Sequence, residues 1–405
     1  MIYTKSETSA LQSLQVIYEK ANSLISNQGL DSLLKNYLDN TQITQKSDLI
    51  RYSEENIDRL LSHAVLFSET SGTTGKPLMT PRYNCDLDWN INNQIFAYKK
   101  NLNPNTDRVA ILHPGILSPF LEASSIALKT LDVGYTRIFP IENICDYRRI
   151  LDILDRYKIT TIMSTPSLLY KLFYEIKCNI GSSVPQSVNK LLVTGEHFSL
   201  SNKVNMERIV TGAKAIPFVY GSSEVATTMI GEEPFGYRPI LEDFIFEVID
   251  CGSEPVNDYS SYGSFHSHGK LLVTWLRTGA LPILRYDTKD IFTVVKCNKD
   301  GYLFFNEGRS TTRDEYRILE NIIGDSIYES GFPIYHLECF YEKSSSRLEI
   351  SVITDSKLSG IENEIHSRLS QNLPSSFKIS VEIDRNNSDF FNFSPKPKLQ
   401  KLTIR

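Results

Sequence analysis

The stretch Ser68-Glu-Thr-Ser-Gly-Thr-Thr-Gly-Lys-Pro77 packs two glycines, several hydroxyl side chains and a lysine into ten residues. Glycines let the backbone turn tightly and present its N–H donors, while hydroxyl and ammonium groups add charge-assisted contacts. Such a loop can wrap an oligophosphate. It is not a loop of the form G-x-x-x-x-G-K-[ST], because Thr70 stands at the first glycine position and Pro77 at the Ser/Thr position. A Gly/Ser/Thr turn between two elements has the same composition.

Further along, Tyr220-Gly-Ser-Ser-Glu224 places an aromatic ring, small residues and one carboxylate behind a short apolar run. That set can stack a base, admit a phosphate and hold a hard cation through oxygen. A turn with an exposed glutamate is the alternative. Asp290, closing Leu284-Arg-Tyr-Asp-Thr-Lys-Asp290, is the right group to accept from two vicinal hydroxyls. With Arg309 it could equally form a surface ion pair. His113, in Leu112-His-Pro-Gly-Ile, suits either a pocket wall or a buried, hydrogen-bonded structural role. His266 and His268 could be a metal pair, although an exposed turn needs fewer coincidences.

Taken in order, these words resemble the signatures of the adenylate-forming superfamily: acyl- and aryl-CoA synthetases, nonribosomal-peptide adenylation domains and firefly luciferase. The stretch from Ser68 to Pro77 resembles the phosphate loop of that superfamily. Val193-Thr-Gly-Glu196 resembles the word along the adenine, and Tyr220 to Glu224 resembles Y-G-x-[ST]-E. Leu284 to Asp290 resembles R-Y-x-T-G-D, and Asp300-Gly-Tyr-Leu-Phe-Phe-Asn-Glu-Gly-Arg309 the strand into the G-R hinge. Pro395-Lys-Pro-Lys-Leu-Gln-Lys401 resembles the C-terminal P-R-T-x-x-G-K word. The short stretch before the phosphate loop resembles the phenylacetate-CoA ligase-like branch.

The resemblance implies an AMP-forming acid–thiol ligase that uses ATP and Mg²⁺. Thr70, Ser71, Gly72, Thr73, Thr74, Gly75 and Lys76 would hold phosphates. Gly195, Glu196, Tyr220, Gly221, Ser222 and Ser223 would line the adenine and α-phosphate. Glu224 would associate with Mg²⁺ as a catalytic residue, Asp290 and Arg309 would bind the ribose, and Tyr302, on the strand leading to that arginine, would join them in binding the nucleotide. Lys401 takes the place of the catalytic lysine, with Lys398 as its rival, and His113 borders the acid pocket. The chain departs from the pattern at Lys289 and Gln400, each in place of glycine, and at Thr311, where a charged pivot is usual. The I-K-x-x-G word of CoA ligases is not recognisable, so the acceptor stays open: CoA, the phosphopantetheine arm of an acyl or aryl carrier protein, or a partner enzyme. No carboxylate follows His113 until Glu122 to pair an α-ammonium, which favours an acid without one, an aryl acid by resemblance. Siderophore or antibiotic synthesis is the setting implied. A catalytically silent nucleotide-binding relative is the alternative outside catalysis.

The elements that must position these words alternate. Helical spacing marks Leu14 to Leu24 and Leu33 to Leu38, then short apolar runs alternate with helices. Strands are expected at Val109–Leu112, Ile159–Met163, Leu191–Thr194 and Ile216–Tyr220, with helices at Tyr147–Tyr157 and Pro166–Phe173. That order predicts an α/β chain with a helix-covered, mainly parallel sheet. From about residue 243 neighbouring strands predict an antiparallel sheet or small barrel. The expected division is a large ATP- and acid-binding domain over 1–307, a hinge at 308–313, and a small mobile α+β lid over 314–405.

Composition sets the outer limits. The 405 residues carry 43 Lys+Arg and 48 Asp+Glu, a net charge of -5, which argues against a nucleic-acid partner. The longest apolar stretch, Val109 to Leu128, is broken by His113, Pro114, Pro119 and Glu122, so no membrane span is expected. The first residues lack the apolar core of a secretory signal, and six dispersed cysteines form no C-x-x-C pair. A cytoplasmic protein with reduced thiols is the expectation.

Overall fold

The computed structural model describes residues 1–20, 41–70, 76–113, 118–141, 144–297, 301–310, 314–355, 359–384 and 400–404. The amphipathic stretch at 33–38, the loop tip at 71–75, the pivot at 311–313 and Lys398 lie outside these residues.

After a short strand β1 (Ile2–Tyr3), five strands build a parallel sheet: β2 (Arg108–Leu112), β3 (Gly134–Ile138), β4 (Thr161–Ser164), β5 (Lys190–Val193) and β6 (Lys214–Pro217). Their order is β3-β2-β4-β5-β6. The inner strands are buried residue by residue, as a sheet with helices on both faces requires. Helices Asn84–Asn101 and Pro119–Thr130 pack on one face. Tyr147–Arg156, Pro166–Tyr174 and Leu200–Ile209 cover the other. Their starts follow from sequence. Asp146, Thr165 and Ser199 each accept a first-turn N–H, and Pro166 stands at the first helical position.

A second sheet is mixed in chain order and antiparallel in its pairings. It contains β7 (Val219–Ser222), β8 (Ala226–Gly231), β9 (Tyr237–Pro239), β10 (Phe244–Ile249), β11 (Ser264–Trp275), β12 (Tyr286–Lys296) and β13 (Tyr302–Arg309). With β1 the order is β1-β10-β11-β12-β13-β9-β8-β7. Two expectations are corrected here. The run Ile216–Tyr220 is not one strand: β6 ends at Pro217, and β7 begins at Val219 in the other sheet. Antiparallel pairing therefore starts at Val219, before residue 243.

The remaining strands β14 (His336–Glu342), β15 (Arg347–Ile353), β16 (Lys378–Asp384) and β17 (Gln400–Ile404) form a small sheet ordered β16-β15-β14-β17. Helices Asp314–Tyr328 and Ile361–Asn372 back it. This unit is fastened to the parallel sheet's helices. Tyr170 and Tyr328 stack with ring centres 6.0 Å apart, and Tyr174 meets Tyr335 edge-on at 5.7 Å. Buried Asn205 donates to Ile334 O at 2.7 Å and accepts from Ile334 N at 3.0 Å. The apolar cores of both units are continuous.

Among the described residues no helix is long and apolar enough to cross a membrane. All six cysteines are free thiols. His268 is buried against Thr293 and Glu307, whereas His266 faces Tyr3 and Tyr302, so the two histidines share no coordination point.

Candidate active site

In an open parallel sheet, ligands gather at the carboxyl ends of the strands where the strand order reverses. Here the chain steps from β2 outward to β3, then inward to β4, so the reversal lies between β2 and β4. His113 follows β2, its ring 5.5 Å from that of Phe120. Thr165 follows β4, and Thr194-Gly195-Glu196 follows β5. Gly195 has φ +85°, a left-handed conformation that glycine adopts freely, with Thr165 Cγ2 3.2 Å from where a Cβ would stand. The Glu196 carboxylate turns to the helix at Pro166, accepting from Ser167 N at 3.1 Å and Ser167 Oγ at 2.6 Å. A carboxylate at that terminus meets free N–H groups and the positive end of the helix dipole.

The phosphate-type loop is carried by a short antiparallel stem. Leu66 pairs with Arg82 and Glu69 with Met79, while Thr70 N donates to Leu78 O and Thr80 N to Ser68 O. The tip from Ser71 to Gly75 lies outside the described residues. Lys76 sits on the outer side of the stem, paired with Glu54 and largely exposed. The buried Arg82 guanidinium reaches from the stem to Ser223 O, tying it to the word at Tyr220.

That word forms the tight β7–β8 turn. Ser222 Oγ accepts from Glu224 N at 3.3 Å and Val225 N at 3.4 Å. A Cβ on Gly221 would stand 1.9 Å from Ala226 O, so only glycine permits this crossing. Gly221→Ala is accordingly expected to lower stability by about 3 kcal/mol. Denaturant unfolding measures it, and a loss below about 1 kcal/mol would show that the turn yields.

Two charged clusters meet beyond the turn. In the first, Tyr220 Oη donates to Asp290 Oδ2 at 2.6 Å, and Arg309 Nε lies 3.1 Å from Asp290 Oδ1. Register explains the second contact, since β12 and β13 set Asp290 opposite Arg309. Burial pushes the Asp290 carboxyl above its usual range, against the pull of Arg309, Tyr220 and His197. In the second cluster the Tyr286 hydroxyl stands close to the buried Glu224 carboxylate. Burial foremost, then Glu224, holds that phenol well above its ordinary range. Lys46 Nζ lies 3.5 Å from Glu224 Oε1 and 3.1 Å from Thr70 Oγ1, joining the loop stem to the glutamate.

Thr70, Ser223, Glu224, Tyr220, Asp290 and Arg309 thus converge although they lie up to 239 residues apart in the chain. Tyr302 does not join them. It pairs with Lys296 at the far end of the β12–β13 ladder from Asp290, beside Tyr3 and His266. Lys401 lies on β17 in register with Glu338 of β14. The departure at Lys289 keeps the backbone that glycine would favour, with φ +63°.

Sequence reading missed four contributors. Lys46 and Arg82 carry no motif. Tyr286 lies inside the Asp290 word but had no assigned part. His197 directly follows the Val193–Glu196 word, and burial lowers its pKa while its Nδ1 sits 3.3 Å from Asn306 Oδ1.

No protein-family model matches this sequence, and no curated protein does. Solved structures do resemble it. A 2-hydroxyisobutyryl-CoA ligase in its postadenylation state, bound to 2-HIB-AMP, superposes with TM-score 0.76 at 17% identity, covering 98% of this chain and 89% of that one. The same ligase in its thioesterification state, with CoA, gives 0.60 at 16% identity, over 98% and 90%. An anthranilate CoA ligase in complex with anthranoyl-AMP gives 0.53 at 14% identity, over 82% and 65%. With its helix-covered parallel sheet, antiparallel sheet and small terminal α+β unit, this chain has the fold of the adenylate-forming enzymes.

Proposed function

We propose that this protein activates a carboxylic acid with MgATP, forming an acyl-adenylate and pyrophosphate, and then passes the acyl group to a thiol with release of AMP. The observation that carries the reading is the convergence of Thr70 and Glu224 on one ammonium, beside the Tyr220–Asp290–Arg309 cluster. Three kinds of group needed for one nucleoside triphosphate thereby share one place: a phosphate loop, a hard-cation carboxylate and a diol acceptor.

In this reading the substrate carboxylate oxygen attacks the α-phosphorus and the bond to the β-phosphate oxygen breaks, releasing pyrophosphate. The chain supplies position and charge, not a nucleophile. The loop from Thr70 to Gly75 holds the β- and γ-phosphates, Lys76 being turned outward to Glu54. Gly195 and Tyr220 to Ser223 border the adenine and α-phosphate. Asp290 accepts from the ribose hydroxyls, with Arg309 and Tyr220 fixing its carboxylate. Lys401 meets the oxygens of the carboxylate and α-phosphate.

Mg²⁺ fits this donor set. Among the described residues no cluster of three acidic, His or Cys side chains could cage a metal. One buried carboxylate, Glu224, beside a threonine hydroxyl suits an ion that arrives on ATP and keeps phosphate and water ligands. When bound, it supplies charge neutralisation on the phosphates.

An aryl acid and a pantetheine acceptor, on CoA or a carrier protein, are the preferred substrates, in a cytoplasmic biosynthetic setting. The neighbours named above are CoA ligases, one of them for an aryl acid. His113 at the strand reversal would border the acid. In this reading the hinge is 308–313 and residues 314–405 act as the lid.

One observation favours a second reading, in which the adenylate passes to a partner enzyme. The terminal unit is held to the body by a continuous apolar core and by buried Asn205. Rotating it away would expose that surface.

Acid-dependent ATP–pyrophosphate exchange over a panel of aryl, aliphatic and amino acids tests the reading. Exchange with at least one acid, strongest for aryl acids, is expected. Absence of exchange with every acid sinks it. Mass spectrometry of CoA, a carrier protein and co-purifying protein after the reaction identifies the acceptor.

A further inference from the structure

Lys46 belongs to none of the sequence words, yet it stands where two of them meet. Its ammonium lies 3.1 Å from Thr70 Oγ1 and 3.5 Å from Glu224 Oε1, and its side chain is one-third exposed. Lys76, the loop's own lysine, is turned outward to Glu54.

The placement of Lys46 is built, not incidental. Thr44 pairs with Tyr286 as an added edge to β12: Thr44 N donates to Arg285 O, Asp287 N to Thr44 O, and Thr44 Oγ1 to Leu284 O at 2.6 Å. The next residue, Gln45, is the N-cap of the helix Lys46–Glu55, its N–H donating to Asp48 Oδ2 at 2.8 Å and its carbonyl accepting from Asp48 N at 3.0 Å. Its amide is held from the other side, donating to Asp287 Oδ2 at 3.4 Å and accepting from Lys289 Nζ at 2.5 Å. Lys46 is therefore the first helical residue, fixed by the strand that also carries Asp290. Lys289 also has its explanation: it keeps a left-handed φ of +63° while its ammonium grips Gln45 and Asp287.

We infer that Lys46 binds the triphosphate of ATP, donating to phosphate oxygens between the loop stem and Glu224, and that Lys289 is its positioning residue. The inference rests on the adenylation reading for the identity of the nucleotide. An ammonium bonded to a hydroxyl and a carboxylate is already desolvated in part, and it exchanges those partners for phosphate oxygens without moving its helix.

Calorimetric titration with ATP and, separately, with adenosine, in the absence of any acid, tests this. Lys46→Ala should weaken ATP binding at least tenfold and leave adenosine binding within twofold. Lys46→Arg should restore most of the ATP affinity. Lys289→Gly should weaken ATP by a few-fold, again sparing adenosine. Equal weakening of ATP and adenosine would make Lys46 a structural tether, and unchanged ATP binding would remove it from the site. Either result overturns the inference. If Lys46→Ala fails to fold, Lys46→Gln, which keeps a donor to Thr70 but no charge, carries the same two expectations. A wild type that binds ATP but exchanges with no acid removes the adenylation reading and leaves Lys46 standing. A wild type that binds no ATP removes both.

Discussion

Replacing Lys401 by alanine is expected to abolish acid-dependent ATP–pyrophosphate exchange while leaving the fold and ATP affinity nearly intact. In the proposed adenylation the reacting centre gathers negative charge from the attacking carboxylate, the α-phosphate and the departing pyrophosphate. A single preorganised donor at such a centre contributes about a hundred- to a thousandfold in rate. Lys401 is the proposed donor because the C-terminal word keeps its residue count, and because β17 incorporates its backbone into the small sheet beside Glu338. Two controls give the result meaning. Lys398→Ala should retain exchange, and circular dichroism melts of both variants should match the wild type. Undiminished exchange in Lys401→Ala with loss in Lys398→Ala would move the role three residues upstream. Undiminished exchange in both would take the terminal lysines out of the reaction.

The words of the candidate site were legible because each is contiguous, and each carries its reason within itself: glycine for a close approach, hydroxyls for phosphate, carboxylate for a diol. What sequence could not show is contact between residues that share no word. Lys46 reaches Glu224 across 178 residues of chain only because Thr44 adds to the edge of β12. The helix Asn84–Asn101 escaped notice for a related reason. Its buried face holds Asp86, Asn90 and Gln94, which accept from Ala280 N, Thr227 N and Ser124 Oγ. Buried polar residues with partners erase the apolar period on which helix recognition relies. Tyr302 shows the opposite failure. Proximity in sequence to Arg309 suggested a shared site, but seven residues along an extended strand span roughly 23 Å.

The strand break at Phe218 joins fold to function. Had the chain continued β6 to Tyr220, that ring would lie in the parallel sheet. Ending β6 at Pro217 and restarting in the antiparallel sheet carries Tyr220 across to Asp290 on β12. The nucleotide-type words thus fall on two sheets, with Tyr220, Asp290 and Arg309 brought together on the second. The terminal unit closes on the same body through Asp325, which accepts from Ser199 Oγ at 2.9 Å, and through Arg317 and Asn321, which grip the Glu307 carbonyl. Glu307 lies two residues before Arg309, so the small unit is hydrogen-bonded to the strand that holds the ribose-type cluster.

Removing the charge of Asp290 is expected to have the second large effect, and its pH dependence is the sharper test. Asp290→Asn leaves Arg309 without its counter-charge and offers the ribose a weaker acceptor. A loss of about a hundredfold in kcat/KM for ATP follows, equivalent to roughly 2.7 kcal/mol. In the wild type, burial raises the Asp290 pKa above the usual carboxylate range, while Arg309 and Tyr220 pull it back only in part. In the proposed reading the ribose hydroxyls need the ionised form. ATP affinity should therefore be full above that raised pKa and fall as pH drops through it, at a higher pH than an ordinary aspartate would give. Stability runs the other way: because burial favours the neutral acid, this group's contribution is present below the unfolded pKa and lost as pH rises through the folded one. Titrating ATP affinity between pH 4 and 8, alongside melting temperature, separates the two trends. In Asp290→Asn the acid limb of ATP binding should vanish. If the variant keeps the same acid limb, another group sets it, and Asp290 is not the ribose acceptor.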